Sequence, residues 1–216
     1  MIKTIMFDFD GTIINTNALI QDGLRYLANR YSGKTLDHHA FRQISGKPLE
    51  QQLAHIHPEK VDLMMEQFQI WYKHNHNIYA KAFPGMTVLI DSLSKRGMGL
   101  GIVTNNSTPV LNMGLDHLHM SHYFEVKVSR DDVASAKPHP EGILKALAML
   151  GARPEETMFV GDTESDMLAA KAAGLTTCFV TWSLIDYTLF EVEPDILISS
   201  PTTLLQFLDE RRDSVA

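Results

Sequence analysis

Two aspartates two residues apart, Asp8 and Asp10, close the first apolar run of the chain (Ile2, Ile5, Met6, Phe7), and Gly11 and Thr12 follow at once. Side chains two apart on a strand point the same way, so a strand ending here brings two acids to one place. Carboxylates crowded together repel unless a cation or a proton lies between them. Gly11 allows a sharp turn and a close backbone approach to a ligand. Read alone, the pentapeptide also fits a strand that simply ends in an Asp-Gly turn.

Three later clusters carry similar chemistry. Thr104-Asn105-Asn106 ends the run Gly99 to Thr104, and Ser107-Thr108-Pro109 then reads as a helix start, whose free N–H groups and positive dipole end suit a phosphate. Lys137, followed by Pro138, offers a fixed positive charge. Gly161-Asp162-Thr163-Glu164-Ser165-Asp166 ends another apolar run, with Asp162 and Asp166 one helical turn apart. Each cluster alone has an ordinary reading: a loop pair, a solvated lysine, a helix N-cap. In order, each following an apolar strand, they describe one site with at least three carboxylates, an ammonium, and hydroxyl and amide groups. Such a donor set suits Mg²⁺ and a phosphoryl group, since Mg²⁺ prefers hard oxygen ligands shared with substrate phosphate.

The elements that must position these residues alternate. Strand-like runs at 2–8, 99–104, 124–128, 157–161, 176–180 and 195–198 are separated by helical stripes. Val88, Leu89 and Leu93 form one stripe. Ile143, Leu144, Leu147 and Leu150 form another, and Met167, Leu168, Ala170 and Ala173 a third. Gly97, Gly151 and Gly174 stand where these helices should stop. The alternation predicts an α/β fold with a parallel sheet. Residues 17–82 break the rhythm: no strand is evident, Leu19, Leu24, Leu27 and Tyr31 form one helical face, and Met64, Met65, Phe68, Trp71 and Tyr72 another. An insertion after the first strand of such a sheet is expected over the carboxyl ends of the strands, as a lid. The predicted division is a core of 1–16 and 83–216 and a helical cap of 17–82.

These motifs, in this order, make the chain resemble the haloacid dehalogenase superfamily of hydrolases, within it the phosphoglycolate phosphatase-like branch with a helical cap. The resemblance implies a Rossmann-like parallel sheet core with an all-helical cap inserted after the first strand. It implies that Asp8 is the nucleophile that forms an aspartyl-phosphate, that Asp10 is the general acid and base, and that Lys137 neutralises Asp8 and the transferring group. Thr104 and Asn105, with Lys137, would bind phosphate. Asp8, Asp10 (through its carbonyl), Asp162 and Asp166 would hold Mg²⁺, Asp166 from behind or through water. Ser45-Gly46-Lys47-Pro48-Leu49 resembles the substrate-specificity loop, with Gly46 at the turn and Lys47 facing a carboxylate or second phosphate. Ile13, Asn15 and Thr16 depart from the usual Leu, Asp and Ser. The second acid, Asp10, is missing from dehalogenases, whose halide leaves without a proton, so phosphate transfer is expected.

The expected substrate is a small phosphorylated metabolite, phosphoglycolate first, with sugar phosphates and pyrophosphate behind. A β-phosphoglucomutase-like phosphomutase is a rival, although such mutases often carry an acid where Gly161 stands. A phosphate-binding regulatory protein is the rival that is not an enzyme. Signalling receiver domains also gather Asp, Thr and Lys, but their acceptor lies deeper in the chain and they have no cap.

Composition narrows the field further. The chain has 216 residues, 19 basic against 26 acidic, for a net charge of -7. No basic stripe is evident, which argues against nucleic acid. No apolar stretch is long enough for a bilayer, and no secretory signal is visible, so a cytoplasmic protein is expected, as monomer or homodimer. The single cysteine, Cys178, sits in an apolar run and reads as a small core residue. The histidine pairs 55/57, 74/76 and 117/119 are expected at the surface or half-buried, because i and i+2 do not face each other on a helix.

Overall fold

The computed structural model describes residues 1–33, 35–44, 49–183 and 185–213. It divides into two compact units, one of Met1–Ile14 and Lys81–Ala216, the other of Asn15–Ala80.

The first unit is built on a six-stranded sheet. Its strands are β1 (Thr4–Phe7), β4 (Gly99–Val103), β5 (Val126–Val128), β6 (Thr157–Gly161), β7 (Thr176–Val180) and β8 (Ile196–Ile198), in the order β5-β4-β1-β6-β7-β8. Every pairing is parallel. The short strands β2 (Ile14–Asn15) and β3 (Lys81–Ala82) pair as a separate ribbon where the chain leaves and re-enters this unit. At two residues each, they are too short to leave a period in the sequence, and β3 is a strand inside the stretch 17–82 where none was expected.

β1 is central. Ile5, Met6 and Phe7 are fully buried, as expected of a strand covered on both faces. Phe7 is level with Ile102 of β4 and Val160 of β6, so the residues after β1, β4 and β6 emerge together. The chain runs outward from β1 through β4 to β5, then restarts at β6 on the other flank. That reversal opens a crevice at the carboxyl ends of the central strands, the usual ligand position in open α/β sheets.

Helices α5 (Met86–Lys95), α6 (Thr108–His117), α7 (Glu141–Leu150), α8 (Glu164–Ala172) and α9 (Pro201–Asp213) flank the sheet. Ile143, Ala146 and Leu147 of α7 and Met167, Ala169 and Ala170 of α8 are buried. Most of these side chains share one cluster with Met6, Val103, Val126, Val128 and Phe159 of the sheet. Gly97, Gly151 and Gly174 follow the ends of α5, α7 and α8 with positive φ. The expected stripes need one correction each: Val88, Leu144 and Leu168 are exposed. Each lies about 100° around its helix from the buried residue beside it, and spacing of three or four, not apolarity, selects the inner face. Cys178 is a buried core residue of β7 whose thiol is pushed up by desolvation.

The second unit is helical: α1 (Asn17–Ser32), α2 (His38–Ile44), α3 (Leu49–Ile56) and α4 (Val61–Tyr79). Leu24, Leu27, Phe41, Ile44, Leu53, Met64 and Phe68 form its core. Trp71 stacks on Tyr26 at 5.2 Å and donates from Nε1 to the Leu19 carbonyl. His76 departs from the surface expectation, being 1% exposed. It follows Met64, Phe68 and Tyr72 at intervals of four on α4, which carries it onto the inner face, and its ring lies 5.4 Å from that of Tyr72. Among the described residues no helix is long and apolar enough to cross a membrane.

Candidate active site

Asp8, Thr104 and Asp162 each follow the last residue of a neighbouring strand, β1, β4 and β6. The Asp8 amide continues the ladder to the Val160 carbonyl, and the Thr104 amide to that of Val128. The backbone therefore fixes where these side chains begin. Asp166 sits one turn into α8. Its Oδ2 accepts from the amides of Asp162 and Thr163 and from the Thr163 hydroxyl, while its own amide is bonded by Thr163 Oγ1. This reciprocal cap ties the first turn of α8 to the tip of β6.

Lys137 arrives from the loop ahead of α7. Its ammonium donates to Asp8 Oδ1 at 2.7 Å, to Asp166 Oδ1 at 2.6 Å and to the Val103 carbonyl at 2.8 Å. The lysine side chain is 4% exposed. One carboxylate oxygen from each of Asp8, Asp162 and Asp166 lies within 4.8 Å of the others. All three acids are buried.

The charges of this cluster do not cancel. Burial, then the carboxylate of Asp166, push Asp8 up to about 7 against the pull of Lys137. Burial and the neighbouring Asp8 and Asp166 raise Asp162 well above the usual carboxylate range. Burial alone would lower Lys137, but Asp166 and Asp8 hold its ammonium above the ordinary lysine range. Three acids facing one ammonium leave negative charge in a place with little water, where a further cation is the natural partner. The donors are all hard oxygens. Gly11, at φ +82°, lacks the Cβ that would stand 2.1 Å from Asp162 Oδ2. The residues present therefore fit Mg²⁺. Asp166 has both oxygens engaged by Lys137 and the α8 cap, which suits support from behind rather than direct ligation.

Asp10 is held by Asn106, whose Nδ2 donates to Asp10 Oδ2. The Asn106 amide donates to Thr104 Oγ1. Asn105, expected to bind phosphate, gives both ends of its side chain to the Lys137 backbone: Oδ1 accepts from its amide at 3.0 Å and Nδ2 donates to its carbonyl at 2.9 Å. A carboxamide used in this way positions the lysine. At the start of α6, the Thr108 amide donates to Asp131 at 2.8 Å. Gly46 and Lys47 lie outside the described residues.

Sequence reasoning missed several contributors. Thr12 Oγ1 and Ser183 Oγ donate to the two oxygens of Asp162, and Asn106 reaches Asp10. Only Thr12 and Asn106 had a signal, as neighbours of residues already singled out.

An α/β sheet with an aspartate, a lysine and two further acids gathered at its central strand ends defines a class of hydrolase that works on phosphoryl or similar groups. The family model described as haloacid dehalogenase-like hydrolase matches residues 5–180, and the chain belongs to that family of enzymes. It is 38% identical over 208 residues to the pyrophosphatase PpaX of Anoxybacillus flavithermus, covering 96% of this chain and 97% of that protein. A haloacid dehalogenase-like family hydrolase from Streptococcus pneumoniae superimposes with a TM-score of 0.84 at 26% identity, covering 96% and 98% of the two chains. A predicted phosphoglycolate phosphatase from Haemophilus somnus also gives a TM-score of 0.84 and covers 96% and 98%. At 20% identity, it shows the fold alone.

Proposed function

We propose that this enzyme is a Mg²⁺-dependent phosphatase of small phosphorylated compounds, acting through an aspartyl-phosphate on Asp8. The observation that carries the reading is the buried Asp8–Lys137 pair, 2.7 Å apart, beside Asp162 and Asp166. Asp8 Oδ1 is held by Lys137, which leaves the other oxygen to attack phosphorus. As the O–P bond to Asp8 forms, the P–O bond to the leaving group breaks and Asp10 gives its proton to the departing oxygen. Asp10 then takes a proton from the attacking water, the Asp8–phosphorus bond breaks, and inorganic phosphate leaves. Asn106 holds Asp10 for both transfers. The Thr104 hydroxyl and the lysine orient the phosphoryl oxygens. Asp8, the Asp10 carbonyl and Asp162 would hold Mg²⁺, which when bound neutralises the phosphoryl charge and polarises the bond to be broken.

Among substrates, pyrophosphate comes first, supported by the relative named pyrophosphatase at 38% identity over nearly the whole chain. Phosphoglycolate, the expectation from sequence, stands second. The mutase reading loses ground at Gly161: a Cβ there would lie 2.6 Å from the Asp166 side chain, so an acid at 161 has no room while Asp166 keeps its place. Substrate choice is assigned to the helical unit.

The test is phosphate release from a panel of pyrophosphate, phosphoglycolate and sugar phosphates, with Mg²⁺ and with EDTA. Release with Mg²⁺, loss with EDTA and loss in Asp8→Asn are expected. Release from no member of the panel, or full activity in Asp8→Asn, would overturn the reading.

A further inference from the structure

The loop after β7 reaches into the site through Trp182 and Ser183, neither of which has a part in the chemistry above. We propose that Ser183 is a positioning residue for Asp162: with Thr12, it fixes this carboxylate in the orientation that receives the divalent cation. The inference rests on the metal-dependent reading just given and assigns a part to a residue outside the four motifs.

Ser183 Oγ donates to Asp162 Oδ2 at 2.7 Å, and Thr12 Oγ1 donates to Asp162 Oδ1 at 3.2 Å. Each oxygen thus takes one hydroxyl hydrogen and keeps a further lone-pair direction for a cation. The same Oδ2 lies against Gly11, where a Cβ would come within 2.1 Å. The carboxylate is boxed, with backbone on one side and a hydroxyl on each oxygen. The loop that carries Ser183 is itself fastened: Trp182 Nε1 donates to the Thr12 carbonyl at 3.1 Å, and its ring lies 6.1 Å from that of Phe83. Trp182 therefore joins the loop after β7 to the loop that carries Asp8 and Asp10, and Ser183 joins it to Asp162 at the end of β6.

This box opposes a definite force. Asp8 and Asp166 repel Asp162 in a buried place, and a carboxylate with no fixed donor can turn away from them toward solvent. Hydrogen bonds to a ligating carboxylate set its direction before the ion arrives. Ser183 is the better test of the pair. Thr12 is fully buried within the nucleophile loop, whereas Ser183 is half-buried and its replacement by alanine removes little beyond the donor.

Calorimetric titration of Mg²⁺ into the full-length protein reads the effect directly, with wild type, Ser183→Ala and Ser183→Thr compared. Ser183→Ala should weaken Mg²⁺ binding by about 10- to 100-fold, the usual cost of losing a partner behind a metal ligand. Ser183→Thr keeps the hydroxyl and should bind as wild type does. The Mg²⁺ concentration needed for half-maximal turnover should rise in Ser183→Ala alone, and Ser183→Thr should keep the wild-type requirement. Wild-type Mg²⁺ affinity in Ser183→Ala overturns the proposal and leaves the phosphatase reading standing. Equal weakening in Ser183→Thr also overturns it, since the hydroxyl would then not be the cause. A wild-type protein that takes up no Mg²⁺ and releases no phosphate overturns the reading beneath it.

Discussion

Replacing Lys137 by methionine keeps most of the stem and removes the charge. The ammonium makes three bonds, to Asp8, Asp166 and the Val103 carbonyl, and is almost wholly buried. Its loss leaves two buried carboxylates without their shared cation and a carbonyl without its donor. Breaking a buried pair in this way costs about 3–5 kcal/mol. For a unit of this size, each kcal/mol moves the melting temperature by about 2–4 °C, so a fall of roughly 6–20 °C is expected in EDTA. The penalty depends on pH, and its sign follows from Asp8. A carboxyl whose native value is raised, here to about 7 from 3.8 even with Lys137 present, binds more protons folded than unfolded between those values. Its favourable contribution is complete below about 3.8 and is lost as pH rises through about 7. In Lys137→Met the charge that pulls Asp8 down is gone and Asp8 is raised further, so the gap to wild type should be widest at and above neutrality and should narrow as pH falls. Differential scanning calorimetry across pH, in EDTA and in excess Mg²⁺, measures this. Saturating Mg²⁺ should recover part of the stability but not the activity. A Lys137→Met protein that melts with wild type in EDTA at neutral pH would refute the reasoning.

Three further predictions follow from the same geometry. Asp10→Asn should slow the first step, transfer of the phosphoryl group to Asp8 read in a single turnover, by about 10²- to 10⁴-fold with phosphoglycolate, the usual worth of a general acid, but far less with p-nitrophenyl phosphate, because nitrophenolate leaves without a proton; equal losses in that step on both would remove Asp10 as the acid. Gly11→Ala should weaken Mg²⁺ binding and lower the melting temperature, since the new Cβ meets Asp162 Oδ2 and the backbone stands at φ +82°. Titration and thermal melts of that variant check this. Asn105→Ala loses two hydrogen bonds to the Lys137 backbone, about 1–3 kcal/mol at the usual worth of each; kcat should fall more than KM rises, which steady-state kinetics separates.

How much of this was legible in sequence depends on the distance over which each signal acts. β1 could be read because a central strand covered on both faces is a continuous apolar run, and Asp8 and Asp10 stood out as acids where it stops. Lys137 could be placed only by its order among the other clusters, since a single lysine carries no pattern. The contact of Asn105 with the Lys137 backbone was not foreseen, Asn106 was left out of the site and Ser183 was invisible. Their partners lie 32, 96 and 21 positions away, and only the adjacency of β4 to β5 and to β1, and of β7 to β6, brings them together. A lone Ser or Asn has no periodicity to betray such a contact. The helices show the same limit at short range: Val88, Leu144 and Leu168 were counted inward by apolarity, and His76 was weighed only against His74 two positions away, whereas spacing of three or four along the helix decided each.

The central claim is that phosphorus becomes bonded to Asp8 during turnover. Acid quenching of the enzyme with substrate and Mg²⁺ during turnover, followed by peptide mass spectrometry, tests it most directly. The expected result is one phosphoryl group on the peptide carrying Asp8, released by hydroxylamine and absent from Asp8→Asn. A phosphoryl group found on another residue, or wild-type turnover in Asp8→Asn, would contradict it.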